Sequence, residues 1–307
     1  MVNSIGVVIL DFNQSLITAR CLRSLAKGDL VPDVVVLIEN GSEPLNDMHD
    51  DVASLNLIKL HPGQNLGCAG GRNLGLNYLL ANSQVTAFVV LDNDTVIPKD
   101  FVKRVSNFAI QPLEVVAPVI VDINTKTIWS CGGTMASDGS IEQLTVINNT
   151  QNHEWIPVDW SPGACLIMTR NTWEIAGEFD NWVNFLFEDI EWCLRIKKAG
   201  GRVLIRPDLQ LFHDPHQSLG GRWSPTRVRF WARNGTFIRV VSLQASLVVV
   251  TKWLTSEIAL VVRDLVTGRA SWASARMGGL MEGLHESIRR RISATKVREH
   301  ETTKTSI

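Results

Sequence analysis

Short apolar runs alternate with helix-like patterns through the first hundred residues of the chain. The runs are rich in Val, Ile and Leu, as strands buried on both faces are, and they span residues 5–10, 34–38, 57–60 and 87–91. Between the first two runs, Ile17, Cys21 and Leu25 have the spacing of one helix face, and a second helix is predicted over residues 72–81. This alternation predicts a mostly parallel sheet flanked by helices.

The rest of the chain divides into two regions of different character. Strand patterns continue at residues 115–121, 163–168 and 202–205, and a helix pattern at residues 188–199. The pattern is weaker between residues 122 and 160. From about residue 223 the chain changes to long apolar helical stretches with few charges, and it ends in a basic and then Thr-rich tail. We therefore expect an α/β domain over residues 1–222 and a C-terminal helical extension over residues 223–307.

Composition narrows the class of protein further. The 307 residues include 30 basic and 31 acidic ones, which give a net charge of −1. A balance near zero argues against a protein that binds nucleic acid mainly by neutralising phosphates. The five cysteines contain no C-x-x-C pair, so neither a zinc site nor a redox pair is indicated, and a reduced, cytosolic compartment is favoured.

Polar clusters follow three of the predicted strands at their carboxyl ends. These clusters are Asp11-Phe12-Asn13, Glu39-Asn40-Gly41-Ser42 and Asp92-Asn93-Asp94. Parallel sheets of this type bind ligands beyond the carboxyl ends of their strands, so the three clusters predict one binding site. Asp92 and Asp94 could share a divalent cation that prefers oxygen ligands, although a turn or a helix N-cap accounts for the same residues.

A run of small residues, Gly67-Cys68-Ala69-Gly70-Gly71, opens the second helix of the predicted sheet. Small residues at a helix N-terminus let an anionic ligand approach the backbone, while glycines also permit close packing of a helix on a sheet. A dinucleotide-binding fingerprint would follow the first strand, whereas this run follows the third, so a Rossmann dehydrogenase is disfavoured.

Three further groups admit both a structural and a chemical interpretation. Glu188-Asp189 begins a predicted helix, where spacing alone favours a cap over a general base, and the nearby Glu191 and Arg195 are spaced to pair with each other. His213 and His216 could bind a metal or a phosphate, or be ordinary polar loop residues. By default, the cluster Arg227, Arg229 and Arg233 forms a solvated helix face, the alternative being a diphosphate clamp.

Taken together, these motifs resemble those of the family 2 glycosyltransferases with the GT-A fold, in particular the bacterial rhamnosyltransferase-like branch. The resemblance extends from about residue 4 to residue 240, and its strength is that the motifs occur in the family's order. Two residues depart from the usual pattern, because Asp11 stands where Asn is more frequent and Glu39 where Asp is usual. The motifs that carry the resemblance are Val7–Asn13, Glu39–Ser42, N-x-G-x-A-G-x-x-N at Asn65–Asn73, D-x-D at Asp92–Asp94, Trp160–Ala164, F-E-D-x-E-x-x-x-R at Phe187–Arg195, His213 with Ser218, and Arg233-Asn234.

The resemblance implies a division of labour within the catalytic domain. Residues 1–97 would form the nucleotide-sugar half and residues 98–222 the acceptor half. Asp189 would be the base that deprotonates the acceptor hydroxyl, with Glu188 as a helper or a structural residue. Mg²⁺ or Mn²⁺ would be held by Asp94, with Asp92 and His213. The donor would contact Asp11, Asn13, Glu39, Asn40, Asn65, Gly67, Gly70, Gly71, Arg72, Asn73, Asp92, Gly163, Ala164 and Arg233.

The resemblance also implies the reaction partners. The donor would be a nucleoside-diphosphate sugar, with dTDP-rhamnose preferred over a UDP-sugar, and the acceptor a glycan or lipid-linked glycan in cell-surface polysaccharide synthesis. The apolar C-terminal helices, with Trp253 and Trp272, would either lie on the inner face of the cell membrane or pack against the protein or a second subunit. A catalytically silent GT-A module that binds nucleotide or glycan is the alternative class.

Overall fold

The computed structural model describes residues 2–41, 51–136, 139–147, 155–215 and 224–304, with side chains up to residue 293. The chain divides into two compact units. Met1–Met135 and Ile141–Gln217 form the first unit, and Ala136–Ser140 with Ser218–Ile307 form the second.

Strands dominate the first unit. Its described residues contain the strands β1 (Ile5–Asp11), β2 (Val34–Glu39), β3 (Leu57–Leu60), β4 (Ala87–Asp92), β5 (Thr95–Val96), β6 (Glu114–Asp122), β7 (Ile128–Ser130), β8 (Gly133–Met135), β9 (Ile141–Gln143), β10 (Ile156–Val158), β11 (Cys165–Thr169) and β12 (Arg202–His213). The accompanying helices are α1 (Ser15–Ala26), α2 (Gly67–Asn82), α3 (Phe101–Ser106), α4 (Arg170–Ala176) and α5 (Glu188–Lys198), with a 3₁₀ turn at Asn181–Val183.

Ten of the described strands form one mixed sheet. Its order is β10-β12-β6-β11-β4-β1-β2-β3, with β5 paired to β12 and β7 to β6. The neighbours β3, β2, β1 and β4 are parallel, as is the β12–β6 pair, whereas β11 runs antiparallel between β4 and β6. The predicted mostly parallel sheet is therefore confirmed. The antiparallel direction of β11 was not predicted, because an apolar run in the sequence does not indicate the direction of its strand.

The sheet separates two apolar cores. Because successive side chains of a strand point to opposite faces, β1 contributes Val7 and Ile9 to one core and Val8 to the other. Helices α1 and α3 cover the first face, and α2, α4 and α5 cover the second. Helix α2 lies especially close to β1, because a Cβ at Gly71 would come within 2.2 Å of Leu10. The glycine run therefore serves close helix–sheet packing, whatever else it does.

Two predicted elements differ from the observed ones in ways that affect the site. The strand predicted over residues 202–205 continues to His213, with a register shift against β6 after Arg206. Helix α2 begins at Gly67, five residues before the apolar spacing suggested, so the small residues form its first turn. The weakly patterned stretch over residues 122–160 contains the short strands β7 to β10.

The second unit is helical. It consists of α6 (Pro225–Phe237), a π-helical turn at Ile238–Ser242, α7 (Leu247–Val266) and α8 (Ala270–Lys304). Helices α6 and α7 begin at Ser224 and Ser246, whose side chains accept hydrogen bonds from backbone N–H groups of the first turn. In the described part of the chain, no helix combines the length and the apolar character needed to cross a membrane.

Candidate active site

The carboxyl ends of three neighbouring strands bring the predicted polar clusters together. Asp11 at the end of β1 lies opposite Glu39 of β2, and Leu10 of β1 lies opposite Asp92 of β4. The three strands are parallel, so their final residues share one edge of the sheet. This juxtaposition was predicted from the sequence, and it is confirmed.

Asp11 is held by hydrogen bonds within this edge. It is buried, and its Oδ1 accepts hydrogen bonds from the Thr18 hydroxyl, from the Asn93 side chain at 3.4 Å and from the backbone of Gln14 at 3.3 Å. Asn93 also donates to the Thr18 hydroxyl at 2.9 Å. The middle residue of Asp92-Asn93-Asp94 therefore anchors the turn to α1, a role that the sequence analysis missed.

The second cluster is tied to the loop before α2. The side-chain amide of Asn40 donates to Asn65 Oδ1 at 3.1 Å and to the Gly67 carbonyl at 3.2 Å, and its oxygen accepts from the Leu66 N–H at 2.8 Å. Glu39 is buried, with His61 Nδ1 3.9 Å from its Oε2. Asn13 is exposed, with a φ of 54°. Asn13 and Asn65 therefore present polar side chains at the surface of this edge, whereas Asn40 positions the loop.

The first turns of α2 have mainly packing contacts. Gly67 and Gly70 are partly exposed, whereas Gly71 is buried against β1. Asn73 is also buried, and it exchanges hydrogen bonds of 2.9 Å with the backbone of Phe179 and donates to Asn181 at 3.1 Å. Asn73 thus fixes the segment that leads to α5.

Asp92, Asp94 and His213 form a cluster that could hold a metal ion. One ligand atom from each residue lies within 4.8 Å of the others. His213 Nε2 is 3.1 Å from Asp94 Oδ1, and the ring of Trp129 packs edge-on against His213 at 4.6 Å. Burial lowers the pKa of His213, but the hydrogen bond to Asp94 and the nearby carboxylates outweigh burial, and the pKa is raised. The continuation of β12 to His213 is what brings this residue to the carboxylates.

Arg72 connects the acidic residues of two motifs. Its guanidinium donates to Glu188 Oε1 at 2.7 Å, to Asp92 Oδ1 at 2.8 Å and to the Gly163 carbonyl at 3.3 Å. The residue is only 3% exposed. Burial acts to lower the pKa of Arg72, but the charges of Asp92 and Glu188 outweigh it and raise the pKa, so the guanidinium remains charged. Arg72 is thus a buried bridge between Asp92, 20 positions after it in the chain, and Glu188, 116 positions after it.

Glu188 and Asp189 begin α5 after an unusual backbone segment. The preceding Leu186 and Phe187 have φ values of 60° and 69°, a region that side chains other than glycine rarely occupy. Burial and the charge of Asp189 raise the pKa of Glu188 to about 7, with Arg72 opposing the shift. Burial likewise raises the pKa of Asp189, against the opposing effect of Arg72. Strain of this kind is found where a side chain must be held at a functional position.

Asp189 is oriented by the segment before β11. The Gly163 N–H donates to Asp189 Oδ2 at 2.8 Å, and the Ile190 N–H donates to Oδ1 at the same distance. A Cβ at Gly163 would come within 2.5 Å of Arg72 Nη2, so a larger residue there would displace the Arg72 guanidinium. The adjacent Ala164 is buried, and its carbonyl accepts from the Asp92 N–H at 3.2 Å.

The remaining predicted residues belong to the second unit, to helix α5 or to segments outside the described residues. Arg233 belongs to the second unit, where its Nε donates to Asn234 Oδ1 at 2.8 Å and its guanidinium lies 4.5 Å from the Phe230 ring. Ser42, His216 and Ser218 are outside the described residues. Glu191 pairs with Arg195 at 2.9 Å, as their spacing predicted.

The mixed, mostly parallel sheet flanked by helices is the architecture of the GT-A fold, and its acidic edge carries a carboxylate–histidine cluster. Solved structures share this fold. GalNAc-T7 with UDP, GalNAc and Mn²⁺ aligns with a TM-score of 0.57 and 16% identity over 87% of this chain and 58% of its own. The mannosyltransferase PcManGT from Pyrobaculum calidifontis, in complex with GDP-Man and Mn²⁺, aligns with a TM-score of 0.54 and 14% identity. The alignment covers 92% of this chain and 88% of PcManGT. This chain thus spans less than two thirds of GalNAc-T7.

Sequence comparison gives the family. Residues 6–155 match the model of Glycosyl transferase family 2. The dTDP-rhamnosyl transferase RfbF of Shigella flexneri is 27% identical over 215 residues, which cover 69% of this chain and 70% of that protein. Over residues 6–155 the chain is therefore similar to the family 2 glycosyltransferases, which confirms the resemblance that the order of its motifs predicted.

Proposed function

We propose that the protein transfers a sugar from a nucleoside-diphosphate donor to a hydroxyl group of a glycan or lipid-linked glycan, with inversion at the anomeric carbon and dependence on a divalent metal. The observation that carries the proposal is the linkage of Asp92, in the carboxylate–histidine cluster, to Glu188 beside Asp189 through the buried Arg72. Both acidic motifs are thereby fixed at one site, as a reaction between a diphosphate-bearing donor and an acceptor requires.

The donor would lie along the edge formed by β1, β2 and β4. Asp11, Asn13, Glu39 and Asn65 are proposed to contact the nucleotide, and Gly163 with Ala164 to lie under the sugar. The buried positions of Arg72 and Asn73 favour a positioning role for these two residues over the donor contacts that the family pattern implied. We favour dTDP-rhamnose as donor because the relative RfbF is named a dTDP-rhamnosyl transferase, and a UDP-sugar is the second choice.

The residues present fit a divalent metal. Asp92, Asp94 and His213 offer two carboxylates and an imidazole within 4.8 Å, a donor set suited to Mg²⁺ or Mn²⁺. When bound, such an ion neutralises charge that develops on the departing diphosphate. The Mn²⁺ in the GalNAc-T7 and PcManGT structures supports this assignment.

Asp189 is proposed to be the base. The acceptor oxygen would attack the anomeric carbon as the bond to the diphosphate breaks, and its proton would pass to an Asp189 oxygen. Each of these oxygens accepts one backbone hydrogen bond and retains a second lone pair for the proton. The raised pKa makes the carboxylate a better proton acceptor than an exposed aspartate. Glu188, held by Arg72, would position this turn.

A panel of nucleotide sugars tests the proposal, with diphosphate release and sugar transfer to a lipid-linked or glycan acceptor measured with and without EDTA. Asp94→Asn and Asp189→Asn should each reduce transfer by about 100-fold or more, as expected when a transition-state contact or a base is removed. Asp51→Asn, at an exposed carboxylate, is the matched control and should retain activity. Donor binding without turnover by the wild type would instead indicate a silent binding module.

A further inference from the structure

Helix α7 of the second unit has its polar and apolar sides reversed. Two of its carboxylates are buried, with Glu257 2% and Asp264 0% exposed. Its exposed side chains include large apolar ones, which are Leu247, Val248, Ile258, Val262, Leu265 and Val266. A surface helix of a soluble protein normally has the opposite arrangement. We refer to these six side chains as the α7 apolar face.

Ion pairs hold the reversed helix in this orientation. Arg276 of α8, itself buried, contacts Glu257 at 2.5 Å and Asp264 at 3.4 Å, and Arg263 contacts Asp264 at 2.9 Å. Turning α7 to bury its apolar face would leave the buried Arg276 without its two carboxylate partners, which is strongly unfavourable. Trp253 packs inward as well, with Arg239 3.8 Å from its ring. The outward direction of the apolar face is therefore fixed by the unit itself.

The neighbouring helix α8 also exposes large apolar side chains. Met277, Met281, Ile288 and Ile292 of α8 are exposed, and their spacing of four and seven residues places them on one side of that helix. Large apolar side chains exposed on each of two packed helices are unusual on a soluble monomer and indicate a surface that another apolar phase covers.

The net charge of the C-terminal segment indicates what kind of surface would cover the α7 apolar face. Residues 218–307 contain 15 basic and 6 acidic residues, a net charge of +9, whereas residues 1–217 contain 15 basic and 25 acidic, a net charge of −10. The four carboxylates of the second unit whose side chains are described, Glu257, Asp264, Glu282 and Glu286, are all paired with arginines. Lys252, Arg263 and Arg269 are exposed on or beside α7. The surface around the apolar face is therefore positive.

We propose that the α7 apolar face and the apolar stripe of α8 bind the surface of a membrane that contains anionic lipids, with α7 lying in the interface. An apolar helix face bordered by basic side chains is the pattern of an interfacial helix, in which burial of apolar area and attraction to anionic headgroups act together. A second copy of the chain is the less favourable occupant, because two copies of residues 218–307, each of charge +9, would repel each other. The inference does not depend on the donor or on catalysis.

Vesicle co-sedimentation of the full chain tests the proposal. We expect binding to vesicles of phosphatidylcholine with about one third phosphatidylglycerol, little binding to phosphatidylcholine alone, and weaker binding as salt increases. Val262→Glu should weaken binding to the anionic vesicles by about tenfold or more, since it replaces buried apolar area by a charge. Ile175→Glu, in α4 of the first unit, is the matched control, because Ile175 and Val262 are both 54% exposed. It should bind as the wild type does.

Circular dichroism and the molar mass in solution complete the test. Val262 is exposed, so its substitution should leave the helical content unchanged. Equal binding of Val262→Glu and wild type to anionic vesicles would overturn the proposal, as would binding that does not depend on phosphatidylglycerol. A lipid-free dimer that Val262→Glu converts to monomer would also overturn it, in favour of a second copy on this face.

Discussion

Replacement of Arg72 by methionine is the sharpest test of the site's architecture. Methionine keeps the apolar stem but removes the guanidinium that binds Glu188 at 2.7 Å, Asp92 at 2.8 Å and the Gly163 carbonyl at 3.3 Å. The substitution leaves two carboxylates without their shared cation. The two differ in exposure, because the side chain of Glu188 is 7% exposed and that of Asp92 33%.

This difference in exposure sets the expected cost. Removal of one partner of a buried ion pair typically costs about 3–5 kcal/mol. Because water reaches Asp92, the loss of its ion pair contributes less to this cost than the loss of the pair with Glu188. We therefore expect Arg72→Met to lower the free energy of unfolding by about 3 kcal/mol at pH 8. The control Arg23→Met removes an exposed pair with Asp51 and should cost less than about 1 kcal/mol. Urea denaturation followed by tryptophan emission measures both.

The loss should depend on pH in one direction. The folded-state pKa of Glu188 is already raised to about 7, so the folded protein binds more protons than the unfolded chain between about pH 4.5 and 7, and Glu188 lowers stability as the pH rises through that window. Without Arg72, which opposes the shift, the pKa rises further and the window extends above pH 7. The difference between wild type and variant should therefore grow by about 1.4 kcal/mol per pH unit above pH 7 until it levels off.

A double-mutant cycle separates this account from simple loss of packing. Glu188→Gln removes the buried charge, so Arg72→Met combined with Glu188→Gln should be more stable than the sum of the two single changes predicts, by about 1 kcal/mol or more. Additive effects, or a loss from Arg72→Met that is the same at pH 6 and pH 8, would refute the reasoning.

Two other substitutions test single contacts. Gly163→Ala should destabilise the protein by about 1–3 kcal/mol and reduce sugar transfer, because its Cβ would displace the Arg72 guanidinium; Gly278→Ala, where a Cβ has nothing within 4 Å, should cost nothing in the same urea titration. Hydrogen bonds from Arg289 lower the pKa of Glu286 to about 2, against burial, so Glu286→Gln should cost about 1 kcal/mol at pH 7. That cost should shrink as the pH falls from about 4.5 towards 2, and an unchanged difference in melting temperature between pH 7 and pH 3 would contradict it.

The sequence predicted the sheet and the edge at which the polar clusters meet, because both depend on local pattern. Alternating apolar runs specify a mostly parallel sheet, and the rule that carboxyl ends share one edge places Asp11, Glu39 and Asp92 together. The same logic could not anticipate Arg72 as a bridge. An arginine in the first turns of a helix is usually solvated, and its burial follows only from the distance between α2 and α5 in the folded chain.

Other misses have the same origin in tertiary structure. The orientation of Asp189 depends on the left-handed conformations of Leu186 and Phe187, and neither residue type signals such a backbone. His213 reaches Asp94 because β12 continues beyond the irregularity after Arg206, whereas its apolar pattern weakens there. The sequence indicates only part of the reversal of α7, because an apolar helix with two carboxylates could bury either side. The buried side is decided by Arg276, which pairs with Glu257 and Asp264 in the folded chain.

The charge balance of the site itself argues for a bound cation during donor binding. Asp92, Asp94, Glu188 and Asp189 bring four carboxylates together, and Arg72 is the arginine that the structure places among them. Even with Glu188 protonated part of the time and His213 charged, a diphosphate would enter a region that repels it. A divalent ion held by Asp92, Asp94 and His213 would remove that repulsion. We therefore expect that donor affinity, and not only turnover, falls when divalent metal is withdrawn.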